Sequence, residues 1–534
     1  MQKLLYLGTV ALLAVAVPCS QAQQTRNRPS PRQQTDSTKG KPPSPEPFKE
    51  VADTSQGTVT VEGRAIPYTA IAGTLVLDQE DLNEDVTDQN APKASMFYVA
   101  YFKKGNAGEK RPITFLYNGG PGSASMWLHM GSFGPRRVVV NDSSHTHAAP
   151  YDLVSNEYSL LDASDLVFID APGTGFSRIR GKDANKFFYG VDQDGRAFAA
   201  FITKFLSHYG RWNSPKYLFG ESYGTTRSAV LANLLGNDYN VDLNGVILLS
   251  QILSFTNSVD NPTGNPGVDQ AYALALPTYA ATAWYHGKLP NKPAQLRPFL
   301  DEVEKFALGD YMHALVQGAD VPQAEKQAAA QKLHQYIGLP VDYLMKADLR
   351  VTGGEFEHEL LADSETTTGR LDTRYSGPSM DPLGQSSDYD PQSAAISSAY
   401  ISTFNDYVRE TLGFGKDRVY HPSGNVRPWD MSHRAPGQRF GGRGSTNVMP
   451  DLAAAMKQNP TLQVMLNAGY YDLATPYFEG VYEMKHLQIP DALQKNIHYA
   501  FYESGHMVYV RVPVLKQLHD NVAKFIEATD NLGK

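Results

Sequence analysis

The tightest constraint on this chain is a short apolar run, residues 216–219, that passes directly into Gly220-Glu221-Ser222-Tyr223-Gly224 and then into a segment with helical character from near Thr225. The two glycines let the backbone turn sharply from strand to helix without a side-chain clash. The serine hydroxyl is then left exposed above a sheet, over a helix N-terminus. Such a unit needs neighbours of the same kind, and the chain supplies them. Residues 112–117 run into Asn118-Gly119-Gly120-Pro121-Gly122, and residues 165–169 into Asp170-Ala171-Pro172-Gly173-Thr174-Gly175. Residues 462–466 and 497–501 read as two later strands, followed by a helix over about 513–528. Strand, turn and helix in alternation predict an α/β fold with a mostly parallel central sheet flanked by helices. Ahead of it, the β-branched and aromatic runs 58–61 and 96–102 read as antiparallel opening strands.

Residues 255–440 lack this rhythm. Ala- and Leu-rich helical stretches alternate there with polar segments such as 376–392, which predicts a large, mainly helical insertion over one end of the sheet. Trp429 and Arg427 are candidates for a pocket wall within it, with hydrophobic packing an equal reading. The expected organisation is an export signal over 1–22, a Pro- and Gln-rich tether over 23–50, a first core part over 51–254, the insertion over 255–440 and a second core part over 441–534. The signal reading rests on Lys3, the apolar stretch that follows it, and small residues at Ser20 and Ala22. That apolar stretch is shorter than the roughly 20 residues a spanning helix needs, so no stable membrane span is expected. A secreted or periplasmic location follows. Val17-Pro18 are not the small residues that should precede a lipid-modified cysteine, so no lipid anchor at Cys19 is expected.

Composition removes several classes of function. With 48 Lys+Arg against 56 Asp+Glu, a net charge of -8 gives no basic face for a phosphate backbone, and nucleic acid is not an expected partner. Cys19 is the only cysteine, so a disulfide framework, a thiolate zinc site and an iron–sulfur cluster are excluded. The acidic stretch between Asp78 and Asp88 resembles a calcium loop, but Val86 stands where the turn needs glycine and Pro92 where a bidentate Glu belongs. No metal or cofactor is expected.

A serine hydroxyl is a weak nucleophile unless an imidazole removes its proton, and the imidazole needs a carboxylate to fix its tautomer. In a strand–serine–helix architecture the chain order is serine, acid, histidine. Among 14 histidines, His506 lies in the loop after the last strand, next to Gly505, whereas His498 sits inside that strand and His519 on the final helix, where packing explains them better. Asp472 lies on a loop just past the strand 462–466, although a turn aspartate bonded to local amides would look the same. The expected catalytic residues are therefore Ser222, Asp472 and His506. The amides of Gly120, in the early glycine loop, and Tyr223, after the serine, are the expected oxyanion donors.

Taken in order, Asn118 to Ser123, Asn156 to Ser159, Phe168-Ile169-Asp170, Gly173 to Ser177, Gly220 to Gly224, Asp472 and Gly505-His506-Met507 resemble the serine carboxypeptidase family in its bacterial branch. The resemblance covers the sheet and little of the insertion. It implies an α/β-hydrolase fold that releases C-terminal residues from peptides with a free C-terminus through an acyl-enzyme. It also implies that Asn118 and a protonated Glu221 bind the substrate carboxylate. A partly desolvated glutamate beside the nucleophile should favour its neutral form, which predicts an acidic optimum on peptides and a less acidic one on uncharged esters. Two departures stand out: Ser132 replaces a second glutamate common in the family, and the family's usual disulfides have no cysteines to form them. An esterase or acyltransferase on the same fold, and an inactive envelope binding protein, are the alternatives. The terminal-residue preference and the oligomeric state are not legible.

Overall fold

The computed structural model describes residues 47–78, 81–82, 91–105, 110–260, 262–439 and 444–532. The export signal, nearly all of the tether and most of the acidic stretch 78–88 lie outside the described residues. The ten strands of the central sheet are β1 (Val51–Val61), β2 (Arg64–Leu77), β3 (Lys93–Lys103), β4 (Ile113–Tyr117), β5 (Asp165–Ile169), β6 (Arg178–Arg180), β7 (Lys216–Glu221), β8 (Gly245–Leu249), β9 (Gln463–Gly469) and β10 (Ile497–Tyr502). Their spatial order is β1-β2-β3-β5-β4-β7-β8-β9-β10, with β6 beside β3. From β5 onward in this spatial order every pairing is parallel, and β1, β2, β3 and β6 join antiparallel. This is the α/β-hydrolase arrangement. The opening runs 58–61 and 96–102 are strands but not neighbours: β2 lies between them, pairing Val59 with Ile66 and Phe97 with Thr74.

The parallel strands β4, β5, β7 and β8 are buried at every position, which is why they read as continuous apolar runs rather than alternating ones. Helices α1 (Val191–His208) and α2 (Tyr223–Asn237) pack on one face and α7 (Val512–Thr529) on the other, and their apolar stripes fill the two halves of the core. Between β8 and β9 the chain builds further helices, of which α3 (Gln270–Tyr285) and α4 (Pro391–Asp406) matter most, before α5 (Met449–Gln458) returns it to the sheet. α3 is buried almost all round and centres a third apolar cluster, which includes Tyr471 and Leu473 on the loop after β9 and the aromatic residues of α6 (Tyr477–Lys485). Among the described residues no helix is long and apolar enough to cross a membrane.

Candidate active site

Ser222 stands between the last residue of β7 and the first of α2 with φ 61° and ψ −131°, a region that a residue with a side chain rarely adopts and that costs on the order of 1–3 kcal/mol. The surroundings enforce it. The Ser222 amide donates to the Leu249 carbonyl at 3.0 Å, and a Cβ on Gly220 would lie 2.2 Å from the Gly224 carbonyl oxygen. The glycine loop after β4 comes as close from the other side: a Cβ on Gly119 would sit 2.4 Å from the Tyr223 amide nitrogen. Tyr223 opens α2, so its amide has no carbonyl one turn earlier inside the helix to donate to. Arg227, on the next turn of α2, is fully buried, pairs with Asp194 of α1 at 2.6 Å and donates to the Asn118 carbonyl at 2.8 Å. It fixes the glycine loop against the helix, a role the sequence did not reveal.

Asp472 and His506 come from the loops after β9 and β10. The His506 Nδ1 lies 2.8 Å from the Asp472 Oδ2, and both groups are buried. Thr475 completes the arrangement, with its amide on Asp472 Oδ1 at 3.0 Å and its hydroxyl on Asp472 Oδ2 at 2.7 Å. Asp472 is thus held by three donors, and the ring orientation of His506 is set. Burial works against a charged His506 ring, but the carboxylates of Asp472 and Glu221 outweigh it and raise its pKa above the usual histidine value. Ser222 and His506 line one cavity of about 310 Å³ together with Gly120, Asn118 and Glu221. No hydrogen bond joins Ser222 to His506 among the described residues; such contacts commonly tighten only when substrate is bound.

Glu221 is 3% exposed, and burial pushes its carboxyl up to about 7, while the His506 charge, the Tyr509 hydroxyl and Asn118 pull the other way. Tyr509, on a short turn after His506, donates to Glu221 Oε2 at 2.8 Å. It was missed by the sequence reading and supplies a hydrogen-bond partner to the lone glutamate. Ser132 is turned away, donating to the Leu128 carbonyl at 2.6 Å inside a buried turn. The Asn118 Oδ1 accepts the Leu128 amide at 3.0 Å, which leaves its NH₂ group for Glu221 and Tyr509, beside the cavity that Asn118 helps to line. Trp429 is not part of the wall; it packs edge-on against Tyr223 at 5.5 Å and stacks on Tyr189 at 6.2 Å, behind the elbow. A strained serine, a carboxylate-oriented imidazole, backbone amides beside them and a glutamate poised to lose its proton near neutrality can together perform acyl transfer on a substrate that carries a carboxylate.

A family model described as serine carboxypeptidase matches residues 85–512. The pheromone-processing carboxypeptidase KEX1 of Yarrowia lipolytica is 32% identical over 142 residues, 26% of this chain and 21% of that protein. A serine carboxypeptidase-like protein of Oryza sativa is 32% identical over 137 residues, 25% of this chain and 29% of that protein. The chain therefore matches less than a third of the length of these curated relatives. In fold it is similar to the crystal structure of a prohormone-processing carboxypeptidase from Saccharomyces cerevisiae, with 16% identity, a TM-score of 0.53, and coverage of 87% of this chain and 93% of that one.

Proposed function

The chain belongs to the serine carboxypeptidase family, and from that premise we propose that it releases C-terminal residues from peptides through an acyl-enzyme formed on Ser222. Ser222 Oγ attacks the last peptide carbonyl while His506 takes its proton and Asp472 holds the imidazole. The amides of Gly120 and Tyr223 stabilise the oxyanion, the terminal residue leaves as an amine that accepts the proton from His506, and water then cleaves the ester by the same route. Asn118 and neutral Glu221 donate to the substrate's terminal carboxylate, with Tyr509 orienting the glutamate.

The observation that carries this reading over a general esterase is the buried Glu221–Tyr509 pair next to the nucleophile. An esterase has no need of a carboxyl that is neutral only below about pH 7. The test digests matched peptides with free and amidated C-termini: strong preference for the free acid, with labelling of Ser222 by a serine-reactive phosphonate, is expected. Equal rates on both would assign the site to a general esterase, and no label on Ser222 to a binding protein. The same reading extends to an exported enzyme, on the leader-like residues 1–22; amino-terminal sequencing of the cell-derived protein should begin after Ala22.

A further inference from the structure

The cavity has a second polar wall that the proposed chemistry does not use. α4 of the insertion presents Gln392, Ser393, Ile396 and Ser397 to it, positions that fall on one face of a helix. Gln392 is 0% exposed, yet neither its Oε1 nor its Nε2 has a hydrogen-bond partner among the described residues. Buried carboxamides are almost always paired, so one with both ends unpaired at a cavity wall marks a place where the occupant supplies the partners. Apart from Glu221 and His506, no charged side chain among the described residues lines this space, so recognition along it is by hydrogen bonds and apolar contact.

The helix also indicates which part of a peptide would meet Gln392. Tyr400, two turns further along α4, packs on Trp127 at 5.3 Å, and a Cβ on Gly131 would lie 2.5 Å both from its hydroxyl and from the ring of Tyr509, the partner of Glu221. That end of the helix marks the carboxylate-binding side. Gln392 is displaced from it by roughly 12 Å along the axis at about 1.5 Å per residue, a distance that an extended peptide covers with about three residues. We propose that the Gln392 carboxamide, closed to solvent with both ends unpaired in the free protein, turns into the cavity to bind the main chain of the substrate on the acyl side of the scissile bond, its Nε2 donating to a backbone carbonyl and its Oε1 accepting the N–H of the same residue. An extended residue offers both groups on one edge, as it does to a neighbouring strand, and so matches a carboxamide whatever its side chain. The insertion thereby selects for peptides over short acyl esters without restricting sequence.

This inference rests on the carboxypeptidase reading, and its test is a binding measurement that does not depend on turnover. Affinities of an N-acylated peptide and of its analogues, in which the amides upstream of the scissile bond are replaced one at a time by esters, are measured on Ser222→Ala and on Ser222→Ala/Gln392→Leu. One ester position should weaken binding to Ser222→Ala about tenfold, the size of one neutral hydrogen bond, and that discrimination should fall below twofold in the double variant. Gln392→Glu in the same background, which keeps the acceptor and the shape, should retain most of it. Discrimination that survives Gln392→Leu, or that is absent at every ester position in Ser222→Ala, overturns the assignment, as does failure of the peptide to bind. Thermal melting shows that each variant is folded. If the coupling appears and yet the wild-type enzyme releases no terminal residue, it is the proposed function that fails and not the role of Gln392.

Discussion

The sheet and the insertion contribute to one cavity in different ways. Every group proposed for bond making or for binding the terminal carboxylate stands at the C-terminal end of a sheet strand or just beyond it: Asn118 and Gly120 after β4, Glu221 and Ser222 at the end of β7, Asp472 after β9 and His506 after β10. Strand ends are fixed by a ladder of backbone hydrogen bonds, so they hold reacting atoms to fractions of an ångström. The insertion brings side chains packed over that edge, Gln392 and Ile396 from α4 and Leu371 from a loop, which shape the space without entering the reaction. On the proposed reading, the chemistry and the recognition of the terminal carboxylate come from the shared scaffold, and recognition of the rest of the peptide from the part that the family motifs do not describe.

That division predicts effects of very different size. Ser222→Ala should lower kcat by about 10⁶-fold and Asp472→Asn by about 10⁴-fold, measured on the same free-acid peptide, with melting temperatures close to wild type. Losses confined to tenfold would place the chemistry elsewhere. Next in size is Arg227→Met, which strips a buried Asp194 of its partner and frees the glycine loop; urea unfolding should show about 3–5 kcal/mol of lost stability. On the insertion side, His433 bridges Asp192 at 2.5 Å and Asp451 at 2.7 Å, tying the returning chain to α1 and α5. His433→Ala should cost about 2 kcal/mol by the same method with little change in kcat. Burial opposes the His433 charge, but the two carboxylates outweigh it and hold its pKa at about 9. Because the folded value is raised, this stabilisation is complete below about pH 6.5 and is lost as pH rises through 9. A variant whose deficit relative to wild type does not shrink between pH 6 and 10 would contradict the charged bridge.

The smallest effect concerns pH. Glu221 must be neutral to donate to a carboxylate, so peptide hydrolysis should fall as pH rises through about 7, roughly tenfold per unit above it. Protonation of His506 sets the acid limb, and since its pKa is also raised, the two limbs belong to a coupled pair and the peptide optimum is narrow and nearer neutrality than the acidic optimum that the sequence suggests. Ester substrates without a carboxylate should keep the acid limb and lose the alkaline one. Glu221→Gln should remove the alkaline limb for peptides as well. Identical profiles for peptide and ester would remove Glu221 from carboxylate recognition.

How much of this could be read in the sequence follows the same division. Glycine-rich loops after apolar strands mark the sheet because their backbone needs leave few residue choices, and β4, β5, β7, β9 and β10 lie within a few residues of the runs that predict them. β2 was missed because Pro67 near its start interrupts the strand pattern, and β8 because no glycine-rich loop follows its short apolar run, as one follows β4 and β5. Tyr509 reaches Glu221 across 288 positions, and nothing local in Val508-Tyr509-Val510 announces that contact. Gln392 ends the polar segment 376–392, where nothing in the sequence marks it as buried; only the packing of α4 over the sheet edge buries it. The missing second carboxyl at Ser132 was legible, but the tyrosine now bonded to Glu221 was not.

The central claim is that Ser222 breaks the last peptide bond of a chain with a free carboxyl end. Mass spectrometry of a defined peptide incubated with wild type and with Ser222→Ala reads this directly. Wild type should produce a ladder shortened one residue at a time from the carboxyl end, and Ser222→Ala should leave the peptide intact. Internal fragments, shortening from the amino end, or a ladder that persists in Ser222→Ala would contradict it.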